Sequence, residues 1–249
     1  MNFGAKIKEA REIGQSCRVT QFGESWYGRY FMRHFSIYIS YALAKLGVSA
    51  NSVTVAMGLA GLFGSLCMIP HNLYCNLVGA ALWQLWFILD CVDGEVARLR
   101  NESSVLGIYI DRVSHIVVNS TFVLSFGLHI YFLEPSLIHL IITMVIYSGW
   151  VWKREVSDLI SDIVRDKMEK DVSVAEKQKW SKLQRIKYIL LAFFDNDVSP
   201  ILFIPIIIAG TYVFGLDVGK WCLYIYTASL QMYLVALILH NGKIFCKNP

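Results

Sequence analysis

Asp90, Asp93, Asp111 and His115 are the residues of this sequence whose types and spacing carry the clearest chemistry. On helices, Asp90 and Asp93 share a face at i,i+3, while Gly107, Asp111 and His115 stack at i,i+4. Gly94 and Ala97 continue the first face without bulky side chains. Two such faces joined by a charged turn oppose each other across a small polar cavity. Like charges crowded into a partly dry site repel and take up protons. Bound cations remove that problem, and hard oxygen ligands suit Mg²⁺ or Mn²⁺. The small residues 94, 97 and 107 let a ligand approach the backbone, and Arg98 offers a fork of donors to a phosphate. Divalent ions beside phosphate-sized space point to phosphoryl transfer. A proton-coupled transporter also uses intramembrane Asp, but it has less use for glycines at these positions.

The elements that must position these groups are apolar. Of 249 residues, 55% are hydrophobic and 17% charged, against about 25% charged in soluble domains, and the mean hydropathy is +0.47. No charge occurs from Leu46 to Leu89, and further uncharged runs cover Val113–Leu133, Pro135–Trp152, Val198–Leu216 and Trp221–Gly242. A spanning helix needs about 20 apolar residues. Pro70-His71-Asn72 divides the first run into Ser52–Ile69 and Leu73–Leu89. Further spans are expected at Val105–Ile130, Ser136–Trp152, within Pro200–Gly215 and at Trp221–Leu239. The expected fold is therefore all-α: a polytopic integral membrane protein with six transmembrane helices. Residues 1–51 form an N-terminal segment, 52–240 the membrane domain and 241–249 a tail.

Basic residues orient this arrangement. Arg98, Arg100 and Arg112 flank the second junction, many Lys and Arg fall in residues 1–51 and Lys153–Lys187, and Lys243 and Lys247 lie in the tail. The positive-inside rule places both termini and the acidic cluster in the cytoplasm of a multi-pass cell-membrane protein. Trp26–Gly47 mixes Arg29, Arg33 and Lys45 with Phe31, Phe35, Ile37, Tyr38, Leu43 and Leu46, as in an interfacial amphipathic helix. The N-terminus lacks the apolar core of a signal peptide. The net charge of +4 reflects residues flanking spans, where anionic membrane lipids attract them, and calls for no nucleic acid. The six cysteines form no C-x-x-C and no disulfide framework.

The stretch Asp90-Cys-Val-Asp93-Gly94-Glu-Val-Ala97-Arg98, followed after eight residues by Gly107-x3-Asp111-x3-His115, resembles the signature of the CDP-alcohol phosphotransferase family, D-x2-D-G-x2-A-R-x8-G-x3-D-x3-D, at every position but the last. Asn51-Ser-Val-Thr54 is similar to the family's T-P-N-x-V-T entry to the first span, with Ala50 in place of proline. The resemblance covers about residues 26–240. It implies a homodimeric membrane enzyme that joins an acceptor hydroxyl to the phosphoryl group of a CDP-linked donor and releases CMP, using two divalent cations. It further implies that Asp90, Asp93 and Asp111 bind metal, and that Gly94, Ala97, Arg98 and Gly107 lie against the cytidine diphosphate. Asp90 is counted with both groups, as a metal ligand and as a donor-binding residue. The occupancy of the second ion is left open.

His115 stands where the family has its fourth aspartate. That aspartate is a metal ligand and the base for the attacking hydroxyl, so His115 and Asp111 are the expected catalytic residues. Three Asp and a neutral His balance two divalent ions less completely than four Asp. Imidazole is nonetheless a competent base near neutral pH. Four readings stay open for His115: base with or without metal contact, a changed reaction such as donor hydrolysis, an inactive homologue retained for binding, or a satisfied helix histidine. Smaller signals have plainer readings. Gly58, Gly61 and Gly64 suit close helix packing, Glu95 faces the cytoplasm or pairs with a nearby Arg, and Arg112 points away from the site. Lys153 and Arg154 next to the membrane could support a phosphorylated acceptor. Asp195 and Asp197 look like a cap before the fifth span, and the other histidines form no ligand spacing.

Overall fold

Side-chain caps mark out the helices that carry the site. A computed structural model describes residues 3–15, 28–168 and 199–214, with individual helical positions between 218 and 235. Its elements are α1 (Phe3–Gly14), a π-helical turn (Gly28–Met32) leading into α2 (Arg33–Lys45), α3 (Ala50–Leu66), α4 (Leu73–Arg100), α5 (Val105–Leu133), α6 (Leu137–Met168) and α7 (Ser199–Ile208), which runs into a second π-helical turn (Ala209–Val213). Ser49 caps α3, Asn72 caps α4 and Ser104 caps α5, each accepting from a backbone N–H three residues on. Asn101 closes α4 in the left-handed conformation, at φ 59°. With only Asn101–Ser104 between them, α4 and α5 must run antiparallel. This returns α5 beside the acidic end of α4.

The core lies between α3, α4 and α5. Met57, Trp83, Trp86 and Val118 are fully buried. Gly61 makes this approach possible: a Cβ there would sit 2.5 Å from Val118 Cγ1 and 2.7 Å from Trp86 Cδ1. The outward side of α3 is the reverse of a soluble surface, with Val55, Leu59 and Phe63 exposed in one stripe. On α2 the buried face carries Ser36, Ile37 and Ser40, whereas Phe35, Tyr38 and Ile39, with Phe31 of the preceding turn, point outward. Apolar outside and polar inside is the pattern of a helix against lipid.

The six-span expectation is overturned. Among the described residues, two helices are long and apolar enough to cross a membrane, α4 with 28 residues and α5 with 29. Reach explains the difference. The 17 residues of α3 extend about 26 Å at 1.5 Å per residue, short of a hydrocarbon core of about 30 Å. On α6 the uncharged stretch ends at Trp152, where Lys153 and Arg154 follow. The apolar segment Ile204–Val213 is shorter still, and a π-helical turn interrupts it. A charge-free run is thus a weaker statement than a span. The fold is all-α, and its apolar helices support membrane association. Trp26 and Tyr27, Asp195 and Asp197, the loop beyond residue 168, residues 241–249 and nearly half of Trp221–Leu239 fall outside the described residues. Among the described residues, Cys67, Cys75 and Cys222 are free cysteines.

Candidate active site

Asp90 comes from α4; Asp111 and His115 come from consecutive turns of α5. The antiparallel pairing brings them together. His115 Nε2 lies 2.9 Å from Asp90 Oδ1 and 3.4 Å from Asp111 Oδ1. The edge of the Trp86 ring, 5.3 Å away between centroids, backs the imidazole. One ligand atom from each of Asp90, Asp111 and His115 lies within 4.8 Å of the others, and all three residues are partly exposed. Two hard oxygens and an imidazole nitrogen converging in this way can coordinate one divalent cation.

Asp93 stands apart from that trio. Its Oδ2 accepts from Thr54 Oγ1 at 2.9 Å, and its Oδ1 accepts from the Gly94 N–H. Thr54 reaches it because α3 lies against α4 at this level, and Thr54 Oγ1 also bonds the Ala50 carbonyl. The sequence pattern groups four ligands, whereas the geometry groups three with Asp93 beside them.

The small residues divide in the same way. Gly94 makes room for Arg98, since a Cβ would meet Nη1 at 3.3 Å and Nη2 at 3.5 Å. The Nη1–Nη2 end of the guanidinium therefore sits against Gly94, one residue from Asp93, while its Nε donates to the Gly14 carbonyl. Gly107 faces Asn51: a Cβ there would sit 2.9 Å from Asn51 Oδ1 and 3.2 Å from Ser104 Oγ. Asn51 and Thr54 thus form a polar wall on α3 facing the motif helices. Ala97 instead packs against the apolar group Ala50, Val53, Val92 and Val96, where it closes α3 onto α4.

One sequence reading changes. Glu95 does not face solvent. It is fully buried and accepts from Gln15 Nε2, Ser36 Oγ and Ser40 Oγ at 2.9, 2.8 and 2.6 Å. Its place between motif positions gave no sign of this, and only the burial of Ser36 and Ser40 on α2 reveals it. At the opposite end of α4, the His71 ring stacks on Tyr212 at 5.1 Å and lies 5.8 Å from the His129 ring, while Tyr212 Oη donates to Asn76 Oδ1 at 2.8 Å. The positions of His71, His129 and Tyr212 in sequence gave no signal of this grouping.

Comparison with known proteins identifies the family. Residues 47–241 match the CDP-alcohol phosphatidyltransferase family. A bifunctional IPC transferase and DIPP synthase from Thermococcus kodakarensis is 32% identical over 117 residues, which is 47% of this chain and 26% of that protein. The aligned part thus spans about a quarter of the curated relative. The family match takes in most of the chain and every residue of the acidic cluster, so the chain belongs to the CDP-alcohol phosphatidyltransferase family.

Proposed function

We propose that the protein transfers a substituted phosphoryl group from a CDP-linked alcohol, such as a CDP-diacylglycerol, to an acceptor hydroxyl, releasing CMP. The observation that carries this reading is the convergence of Asp90, Asp111 and His115 from α4 and α5 within 4.8 Å, beside Arg98 and Gly94. The acceptor oxygen attacks the phosphorus that bears the alcohol, the bond from that phosphorus to the CMP oxygen breaks, and CMP leaves. His115 Nε2 takes the hydroxyl proton, and Asp90 and Asp111 hold the imidazolium that forms. Arg98, whose guanidinium takes the space that Gly94 leaves, orients the diphosphate. A divalent cation held by Asp90 and Asp111, with Asp93 as ligand to a second, supplies charge neutralisation of the diphosphate when bound. Mg²⁺ and Mn²⁺ suit these oxygen-rich ligands.

The same nitrogen of His115 cannot ligate a cation and accept a proton in one state. Ligation is therefore the second reading, favoured by the same convergence. We further infer that this end of the bundle faces the cytoplasm. Lys6, Lys8 and Arg11 of α1, which packs on α4, join Arg98 and Arg100 at the end of α4 and Arg112 in the first turns of α5, as the positive-inside rule requires. In this reading residues 1–51 are an interfacial segment resting on membrane lipids through Phe31, Phe35 and Tyr38, and the enzyme acts as a homodimer.

The test is CMP release by the purified chain with a panel of CDP-alcohols and hydroxyl acceptors, with and without Mg²⁺ or Mn²⁺. Acceptor- and metal-dependent release is expected. Release without any acceptor identifies a CDP-alcohol hydrolase, and no release from folded protein across the panel identifies an inactive homologue. His115→Asp separates the roles of the histidine. Retained turnover supports the proton-accepting role, whereas loss of both metal affinity and turnover supports ligation.

A further inference from the structure

Glu95 and Arg98 lie at i,i+3 on α4, and together they grip two consecutive residues at the end of α1. Gln15 Nε2 donates to Glu95 Oε1 and also to the Arg33 carbonyl, each at 2.9 Å. The preceding residue, Gly14, gives its carbonyl to Arg98 Nε. Gly14 is itself buried, and a Cβ there would approach Ile37 Cδ1 at 3.3 Å. Apolar contact among Ile7, Ala10 and Ile37, with Tyr41 and Leu99 packed against them, already docks α1. Burial of a carboxylate is costly, and well-packed apolar groups often hold such an interface at least as firmly. The polar grip therefore adds placement more than adhesion. What it places is Arg98, whose guanidinium is held between the Gly14 carbonyl and the bare face of Gly94.

We propose that Glu95 and Gln15 are positioning residues: they clamp the end of α1 so that Gly14 holds the Arg98 guanidinium ready for the diphosphate of the donor. This rests on the reading of Arg98 as a phosphate-binding residue. Ser36 and Ser40 complete the carboxylate's bonds and fix α2 to the same point. The N-terminal helix is thereby part of the donor site without touching the donor.

The probe is CDP with Mn²⁺, titrated calorimetrically into the purified full chain, alongside donor KM and kcat. Gln15→Ala is expected to weaken CDP binding about fivefold, the effect of one modest hydrogen bond. Donor KM rises by the same factor, with kcat and acceptor KM within about twofold. Glu95→Gln keeps one carbonyl acceptor and falls between the wild type and Glu95→Ala. In an Arg98→Ala background Gln15→Ala adds nothing, because the guanidinium that the clamp serves is gone. Wild-type CDP binding by both Gln15→Ala and Glu95→Gln, or full additivity with Arg98→Ala, overturns the clamp. A wild type that binds CDP without releasing CMP overturns the proposed reaction and leaves the clamp to be judged by binding. A wild type that binds no CDP overturns both.

Discussion

Within six residues, α4 presents carboxylates to two different environments. Asp90 looks toward α5 across a partly open cleft, where its close neighbours are His115 and, through it, Asp111. Glu95 looks toward α1 and α2, fully enclosed, with two hydroxyls and an amide donating to it. The first environment gathers acceptors and leaves the balancing charge to come from outside. The second supplies its donors from the chain and leaves nothing for a ligand to add. One sequence stretch therefore builds a binding site on one face and a structural joint on the other. Burial and donor count separate them, since both residues are carboxylates.

The comparison breaks first if the Asp90 face proves to be structural. Asp90→Asn or Asp111→Asn is expected to reduce CMP release at least ~100-fold, the upper end of the loss seen even for outer-shell partners of metals. Neither lowers the thermal midpoint of the metal-free protein, because each removes one of several crowded like charges. Chelation of divalent ions gives the same loss, and Mn²⁺ restores activity to the wild type alone. A midpoint that falls with either substitution, or activity that survives chelation, would show that this face needs no cation.

Glu95→Ala should do the opposite. Removing the acceptor strands the Gln15, Ser36 and Ser40 donors, so stability falls by about 2 kcal/mol, read as a lower midpoint in detergent. An unchanged midpoint would mean that solvent reaches these groups and that the two faces do not differ. The contrast also explains why the motif was legible in sequence and the joint was not. Asp90 pairs with Asp93 and Asp111 with His115 at helical spacing, so the pattern grouped all four. It could not show that Asp93 is held by Thr54, which comes from α3 at a distance in sequence. Glu95 escaped it because its donors lie on α1 and α2, and no local pattern announces a contact between residues 15 and 95. The span count failed for a related reason: charge-free length measures composition, while crossing a bilayer needs one unbroken helix of sufficient reach, which α3 and α7 lack.

Asp93 sits between the two environments, half-buried with one hydroxyl donor. Thr54→Val keeps the shape and removes that donor, and a loss of about 1 kcal/mol is expected. If Asp93 belongs to the cation site, Mn²⁺ affinity rises or holds in the same variant, because the freed oxygen becomes available to the ion. A fall in both stability and affinity would place Asp93 with Glu95 as a structural group.

The smallest effect is expected at the turn that joins the two motif helices. Arg100 donates to Glu102 Oε1 at 2.6 Å and to the Ala44 carbonyl at 3.3 Å, tying the α4–α5 turn to the end of α2. That bond from Arg100 holds the Glu102 carboxyl below its usual range, with desolvation opposing it and the Arg100 charge and the Ala50 backbone adding to it. A carboxyl with a depressed folded-state pKa stabilises the fold fully above its unfolded value, about 4.3. The contribution is lost as the pH falls through the lower folded-state value. Glu102→Gln should therefore leave the midpoint slightly lower at neutral pH and converge with the wild type in acid. The exposed position keeps the difference small and sensitive to salt. A difference that persists at acid pH would show that the turn is held by packing rather than by this pair, and that the charges around the motif, unlike those within it, do no more than mark which end of the bundle meets water.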